Sequence, residues 1–256
     1  VGLGGLEIDE ATAARDLTLN VAGNDDSQAI LLGNTRVGGN ATLVAAAGNI
    51  GQKDGTSITA DGKAALTSLT AGGEIDLTSG SNDFARLTVL SGGDTSVTDR
   101  DGLDLYDVTV GGTFALLANG QVELQAGATV DAGGDIDLVV TQGLLDLGDG
   151  SAIEAGGKVA LTTGAGDLRA LGATTITAGT DVTTDIAGDI TFEDDTTLVA
   201  GRDVDLCLTG IFMARDNTSI TATTGEITVK SLTAGEIDLQ GRTSLQAKND
   251  VTLSTK

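Results

Sequence analysis

The sequence predicts an all-β protein, a right-handed parallel β-helix with about 22–23 residues per coil and roughly 11 coils. A short phrase recurs along the chain at a nearly constant interval, and apolar and polar residues alternate within each copy. Composition agrees, because the 256 residues include 38 glycines and no proline. Glycine supplies the positive φ that tight corners need, and the absence of proline leaves a backbone ladder uninterrupted.

The first phrase is a small residue, glycine or polar residues, then an apolar–polar–apolar triplet. Its copies are AGGEIDL (71–77), VGGTFAL (110–116), AGGDIDL (132–138), AGGKVAL (155–161), AGTDVTT (178–184), AGRDVDL (200–206) and TTGEITV (223–229). The first apolar residue recurs after 22, 23, 23, 22 and 23 residues, at Phe114, Ile136, Val159, Val182, Val204 and Ile227. Alternation with period two predicts a strand at each position.

The marker position extends in both directions. We expect Leu17, Ala41, Ala64 and Leu87 to precede Phe114, and Val251 to follow Ile227. The gap of 27 residues between Leu87 and Phe114 indicates an insertion, with Thr95 as the alternative marker. The region 78–113 is therefore predicted to hold an irregular coil.

A second phrase, Thr or Ser followed by an apolar residue and then Ala, predicts a second strand. Its copies are TSITA (56–60), ATVDA (128–132), SAIEA (151–155), TTITA (174–178), TTLVA (196–200), TSITA (218–222) and TSLQA (243–247). Its apolar members keep the same period, at Val130, Ile153, Ile176, Leu198 and Ile220. More variable segments such as LLDLG (144–148) and DITFE (189–193) predict a third strand. The near-duplicates SLTAGGEIDL (68–77) and SLTAGEIDL (231–239) fall between markers and are assigned to a second strand of the coil.

Composition restricts the classes of function. A net charge of −23 without a basic cluster argues against nucleic acid and anionic membranes as partners. No apolar run is long enough for a membrane span. The chain has no histidine, and its aromatic content of 2% offers no platform for a sugar ring. We therefore expect no enzyme activity, although a polysaccharide-cleaving β-helix enzyme stays open as a third hypothesis.

Acidic segments are the obvious candidates for a metal site. TDRDGLD (98–104) places Asp99, Asp101 and Asp104 around Gly102, which faintly resembles a calcium loop, but Arg100 interrupts it and no glutamate closes it. We interpret it as a coil corner, and GNDDS (23–27) and FEDDT (192–196) likewise. Asp76, Asp137, Asp205 and Asp238 are expected to point outward and solvate one face. Cys207 should also point outward as an inert thiol. No catalytic, cofactor-binding or metal-binding residue is predicted.

The repeated phrases, together with the run SNDFARLTVLSGGDTSVTDRDGLDLYDVTVGGTFALLANG (81–120), resemble the repeats of filamentous-haemagglutinin-like bacterial exoproteins. The resemblance implies a right-handed β-helical shaft, export by two-partner secretion or as an autotransporter, and a role in adhesion or matrix assembly at the bacterial surface or outside the cell. It carries no catalytic residues. Residues 1–256 are interpreted as one repeat domain and as a segment of a longer shaft, because neither end resembles a cap.

Two functional hypotheses follow. The first is a structural shaft, with other copies stacked end to end as the expected partner. The second is an adhesin that binds a host or matrix glycan, or a receptor, with a lateral face of the helix.

Overall fold

In a computed structural model, residues 5–22, 28–69, 71–233 and 235–256 are described, and every regular element among them is a β-strand. The first fifteen strands are β1 (Leu6–Ala13), β2 (Leu17–Val21), β3 (Gln28–Val37), β4 (Ala41–Ala45), β5 (Asn49–Gln52), β6 (Ile58–Ser68), β7 (Ile75–Leu77), β8 (Asp83–Ser91), β9 (Thr95–Asp99), β10 (Leu103–Val110), β11 (Phe114–Ala118), β12 (Val122–Leu124), β13 (Thr129–Ala132), β14 (Ile136–Val140) and β15 (Leu145–Leu147). The others are β16 (Ala152–Ala155), β17 (Val159–Thr163), β18 (Leu168–Ala170), β19 (Thr175–Ala178), β20 (Val182–Ile186), β21 (Ile190–Phe192), β22 (Thr197–Ala200), β23 (Val204–Leu208), β24 (Phe212–Ala214), β25 (Ser219–Ala222), β26 (Ile227–Ser231), β27 (Ile237–Leu239), β28 (Ser244–Ala247) and β29 (Val251–Thr255).

All described pairings are parallel, and they stack the strands of a solenoid of about 11 turns into three columns. Two columns extend from the first described coil to the last, and the third begins at β10. The first column consists of β1, β3, β5, β7, β9, β11, β14, β17, β20, β23, β26 and β29. The second consists of β2, β4, the ends of β6, β8 and β10, and then β13, β16, β19, β22, β25 and β28. The third, between them, includes the start of β10, then β12, β15, β18, β21, β24 and β27.

Alternate residues of every column point into a continuous apolar core. The predicted second-column residues Val130, Ile153, Ile176, Leu198 and Ile220 are all buried and pair directly with one another. The first-column markers from Phe114 to Ile227 behave in the same way, and Val251 pairs with Ile227 as expected. Burial of these aliphatic ladders, worth about 25 cal/mol per Å² of apolar surface, drives the fold. Phe192 and Phe212 meet edge to face inside successive coils, with ring centroids 5.9 Å apart.

The predicted extension of the marker column toward the amino end is wrong. Leu17, Ala41, Ala64 and Leu87 do stack on successive coils, but Leu87 pairs next with Leu105 of β10 and not with Phe114. Phe114 pairs instead with Thr95, the alternative marker. The reason is local chemistry: a Gly-Gly corner precedes Ala41 in the second column as well as Thr95 in the first, so the phrase does not distinguish the two columns here.

The irregular region holds shortened coils rather than an insertion. Ile75, Thr95 and Phe114 pair in succession, so these steps take 20 and 19 residues, whereas the step from Phe114 to Ile136 takes 22. Two register shifts accompany the shortening, between Ala60 and Lys63 in β6 and between Leu105 and Val108 in β10. Each bulge places two residues of one strand against one of its neighbour.

Two assignments of repeated segments were also wrong. Ile75–Leu77 lies in the first column, whereas its near-duplicate Ile237–Leu239 lies in the third. The earlier TSITA copy contributes Ile58–Ala60, which pairs with Thr35–Val37 rather than joining the second column. Similar local sequences thus form strands on different sides of the coil. The reason is that a strand in any of the three columns needs only alternate apolar residues to face the core.

Candidate functional site

Acidic and amide side chains at the exposed corners act first as structural groups. Asp135 Oδ1 accepts the backbone N–H of Lys158 at 2.7 Å, and Asp189 Oδ1 accepts that of Ile211 at 2.7 Å, in each case from the next coil. The residues whose side-chain oxygens likewise accept a backbone N–H from the next coil are Asp16, Asn34, Asn40, Asn49, Asp94, Asp107, Asp149, Asp167, Asp181 and Asp203. Nine aspartates and three asparagines therefore satisfy backbone donors at corners that the strand ladders leave unpaired.

A second ladder, of hydroxyl groups, lies inside the corner before the second column. The first Thr of the second phrase is buried there, at Thr174, Thr196 and Thr218. Thr196 Oγ1 donates to the carbonyl of Glu193 at 2.7 Å, and Thr218 Oγ1 donates to that of Arg215 at 2.6 Å. This internal hydrogen bond closes the turn and explains why the phrase begins with a hydroxyl residue.

The outward aspartates do not stack on one another. Asp137 lies between Ala115 and Ala160, and Asp205 lies between Thr183 and Thr228, on the neighbouring coils. Asp76 and Asp238 are likewise flanked by uncharged residues within their columns. The Arg215 guanidinium lies 2.8 Å from Asp238 Oδ2, and the pKa of that carboxyl is lowered by this contact.

The TDRDGLD carboxylates diverge, as expected of a corner. Asp99 is fully buried, and its two oxygens accept the backbone N–H groups of Phe84 and Asp101 at 2.7 and 3.1 Å. Burial, together with the nearby carboxylates of Asp101 and Asp83, raises the pKa of Asp99 to about 7 despite these two bonds. Asp104 points outward toward Arg86 instead. Within the described ranges, no three Asp, Glu, Cys or His side chains converge in a way that could hold a metal ion.

Of the two other acidic segments, only FEDDT (192–196) lies within the described residues. GNDDS (23–27) lies outside the described residues. In FEDDT, Asp194 and Asp195 form a corner with φ of 53° and 69°, and Asp216 and Asn217 repeat that conformation one coil later. Asn and Asp tolerate this left-handed region better than other residues with a side chain, which accounts for their presence here.

Cys207 points outward from β23, as predicted, and is half-buried. Burial raises the pKa of its thiol, and the nearby carboxylates of Asp185 and Asp205 raise it further. The thiolate is the reactive form of cysteine, so this environment suppresses nucleophilic chemistry.

A different cluster stands out on the lateral face of the shortened coils. Lys63 and Arg86 are directly paired on β6 and β8, the one place in the described strand registers where two basic residues are neighbours. Lys63 Nζ lies 5.7 Å from the centre of the Tyr106 ring. We call Lys63, Arg86 and Tyr106 the lateral cluster. Like charges on adjacent strands are unfavourable for stability, and paired carboxylates such as Glu123 and Asp146 carry the same cost elsewhere on the surface.

The bulges position the lateral cluster. Tyr106 is the first of the two β10 residues that oppose the single residue Thr88 of β8. The Thr88 hydroxyl is buried and has no hydrogen-bond partner among the described residues. The absence of an aromatic platform, expected from composition, therefore needs correction: all four phenylalanines are buried in the core, but Tyr106 reaches the surface.

A polar groove adjoins the lateral cluster. It has a volume of about 370 Å³ and is lined by Ala85, Gly102, Leu103, Asp104, Gln121 and Glu123. Asp104 and Tyr106 are alternate residues of β10, so both project from the same face of the sheet. Arg86 Nε lies 3.9 Å from Asp104 Oδ2, which links the cluster to the groove.

The sequence carried only part of this site. Lys63 and Arg86 are 23 residues apart, one coil length, so their adjacency was accessible from the repeat. The position of Tyr106 depends on an unequal residue count in two paired strands, which leaves no periodic signal.

No helix occurs in the described ranges, and so none there is long and apolar enough to cross a membrane. Residues 14–91, under a third of the chain, match a family model described as repeats of unknown function (DUF5649). No curated protein and no solved structure matches the chain. This match supports a repeat protein, in agreement with the solenoid fold, and leaves its role open.

Proposed function

We propose that the chain is the structural shaft of a secreted or cell-surface bacterial adhesin or fibrous exoprotein, without catalytic activity. The observation that carries this proposal is the continuity of two parallel columns from the first described coil to the last, joined by a third from β10 onward. Each coil adds about 4.8 Å to the long axis, so 11 turns give a rod of roughly 50 Å. The resemblance to filamentous-haemagglutinin-like repeats supports the same role outside the cell.

A shaft sets a distance, and its function should depend on the number of coils rather than on any one of them. Deleting residues 159–181 removes one full coil, because Val182 then takes the place of Val159 above Ile136. With spin labels at both ends of the rod, we expect the distance to fall by about 4.8 Å with the fold retained. Deleting residues 159–170, half a coil, should break all three columns and lose the β-structure seen by circular dichroism.

The role itself is tested on cells that express the native protein. Antibody against this chain should label intact, unpermeabilised cells or the culture medium, and loss of one coil should leave adhesion intact. If the antibody labels the cells only after permeabilisation, the proposed extracellular role is wrong. Loss of adhesion from a correctly folded one-coil deletion would show that the removed coil binds a partner instead of providing distance.

We further propose that copies of the chain stack end to end. Leu6 of β1 and Val251 and Leu253 of β29 all hold apolar positions of the first column. In the first-column register a following coil would place Leu6 on Val251 and continue the apolar ladder. Electron micrographs over a concentration series should show fibres of constant width that lengthen with concentration, whereas short uniform rods at all concentrations would exclude this assembly.

A second candidate function is glycan or receptor binding by the lateral face. The observation in its favour is the lateral cluster, where two directly paired basic residues lie beside a surface tyrosine at a bulge.

A further inference from the structure

We propose that the lateral cluster and its adjoining groove bind a single carboxylate-bearing sugar residue within an otherwise neutral glycan. This inference rests on the second candidate function above and names its ligand. It is independent of the shaft role, which would stand unchanged if the site bound nothing.

The carboxylate of such a sugar finds two cations on adjacent rungs. Strands in a sheet lie about 4.8 Å apart, so the side chains of Lys63 and Arg86 leave the backbone at neighbouring positions. Lys63 has no carboxylate within 4.0 Å in the described part of the chain, and Arg86 has one long contact, of 3.9 Å, to Asp104. A carboxylate between them would relieve their repulsion and accept charge-assisted hydrogen bonds, with the guanidinium supplying two parallel donors.

The ring of the sugar finds an apolar surface beside the cations. Tyr106 is the chain's single tyrosine, and the aromatic residues besides it are phenylalanines buried in the core. Its ring presents a flat apolar body with a polar end, which suits the mixed polarity of a sugar ring. Lys63 Nζ lies 5.7 Å from the ring centre, so a single sugar residue can contact both the ammonium group and the aromatic ring.

The groove supplies the contacts that hydroxyl groups need. Asp104 and Glu123 are acceptors, and the amide of Gln121 both donates and accepts. A few placed polar groups beside an aromatic surface are the usual composition of a small-molecule site. Sugar hydroxyls can donate to the carboxylates while the sugar's own carboxylate lies on the opposite, basic side.

The charge of the whole chain restricts the ligand further. The net charge of −23 repels anionic ligands, and at physiological ionic strength only charges within about 8 Å of one another feel this repulsion strongly. A polymer with a carboxylate on every sugar brings many charges within that distance of the acidic surface, whereas a single carboxylate brings one. One acidic residue flanked by neutral sugars therefore fits better than a uniformly acidic polymer.

The experiment is isothermal titration calorimetry of the full chain with three oligosaccharides of equal length. One has a single uronate among neutral sugars, one is wholly neutral, and one consists of uronates throughout. We expect the single-uronate oligosaccharide to bind at least about tenfold more tightly than either of the others. Tyr106→Ala, Arg86→Gln and Lys63→Gln should each weaken its binding by about tenfold or more, whereas Tyr106→Phe should retain it.

Lys230→Gln is the matched control, because Lys230 also points outward from a strand but pairs with Cys207 and Ser254 far from the groove. It should bind like the parent chain. Equal binding of neutral and single-uronate oligosaccharides would overturn the proposal, as would binding that the cluster variants leave unchanged. Absence of binding at about 10 mM ligand to a chain with native circular dichroism would also overturn it.

Discussion

Replacing Thr196 with valine removes one hydroxyl from the internal ladder while keeping the shape of the side chain. Thr196 is fully buried, and its Oγ1 donates to Glu193 O at 2.7 Å, with Ala170 O and Gly172 O at 3.2 and 3.3 Å. Valine leaves these carbonyls without that donor. A buried polar group without a partner costs about 1–3 kcal/mol, so we expect the free energy of unfolding to fall by that amount.

Thr197→Val is the matched control, because Thr197 is the next residue, half-exposed on the outer face of β22. Its effect should stay within about 0.5 kcal/mol. Urea unfolding followed by circular dichroism measures both variants, with the midpoint compared at constant m. Because coils in a solenoid contact only their neighbours, hydrogen exchange of the backbone around residues 193–200 should report the same loss locally. Equal stability of the two variants would refute the internal-ladder argument.

Three further predictions concern other parts of the solenoid. The pKa of Asp99 is raised in the fold to about 7 from an ordinary 3.8, so the unfolded chain ionises first as pH rises. The free energy of unfolding should therefore fall by up to about 4 kcal/mol between pH 4 and pH 7, at 1.36 kcal/mol per pKa unit. In urea titrations at several pH values, the free energy of unfolding of Asp99→Asn should depend less on pH than that of the parent chain, and an equal pH dependence would contradict this prediction. Asp195 has a φ of 69°, so thermal unfolding should show Asp195→Ala to be less stable than Asp195→Gly by about 1–2 kcal/mol, and equal stabilities would speak against backbone strain there. A Cβ on Gly179 would lie 2.0 Å from Gly156 O on the coil below, so Gly179→Ala should unfold at lower urea than Gly80→Ala, where nothing lies within 4 Å; the reverse order would count against that close approach.

The regular half of the chain was predictable because sequence period and coil length coincide there. From Phe114 to Ile227 each marker falls 22 or 23 residues after the one before it, and the structure pairs these residues directly. The predictions failed between Leu17 and Thr95, where the same Gly-Gly corner introduces two different columns and the coil length changes. Fold class therefore follows from repetition alone, whereas assignment to a side of the coil needs the actual pairing.

The candidate site shows the same division. The spacing of Lys63 and Arg86 equals one coil, so the repeat places them together. Tyr106 joins them only through a local excess of one residue in β10 over β8. A bulge of this kind depends on how two strands fit in three dimensions, and neither propensity nor alternation encodes it.

The exposed corner carboxylates and amides give the solenoid a chemical direction. Each accepts an amide from the coil that comes later in the chain, whereas Asn82 and Asp99, which are buried, accept from the coil before. A chain that folds while it is delivered amino end first thus meets, at every step, a finished surface with vacant acceptors in place for the incoming turn. In the reverse order of delivery, the finished surface presents the backbone amide donors of these bonds instead, and the incoming turn must bring the side-chain acceptors.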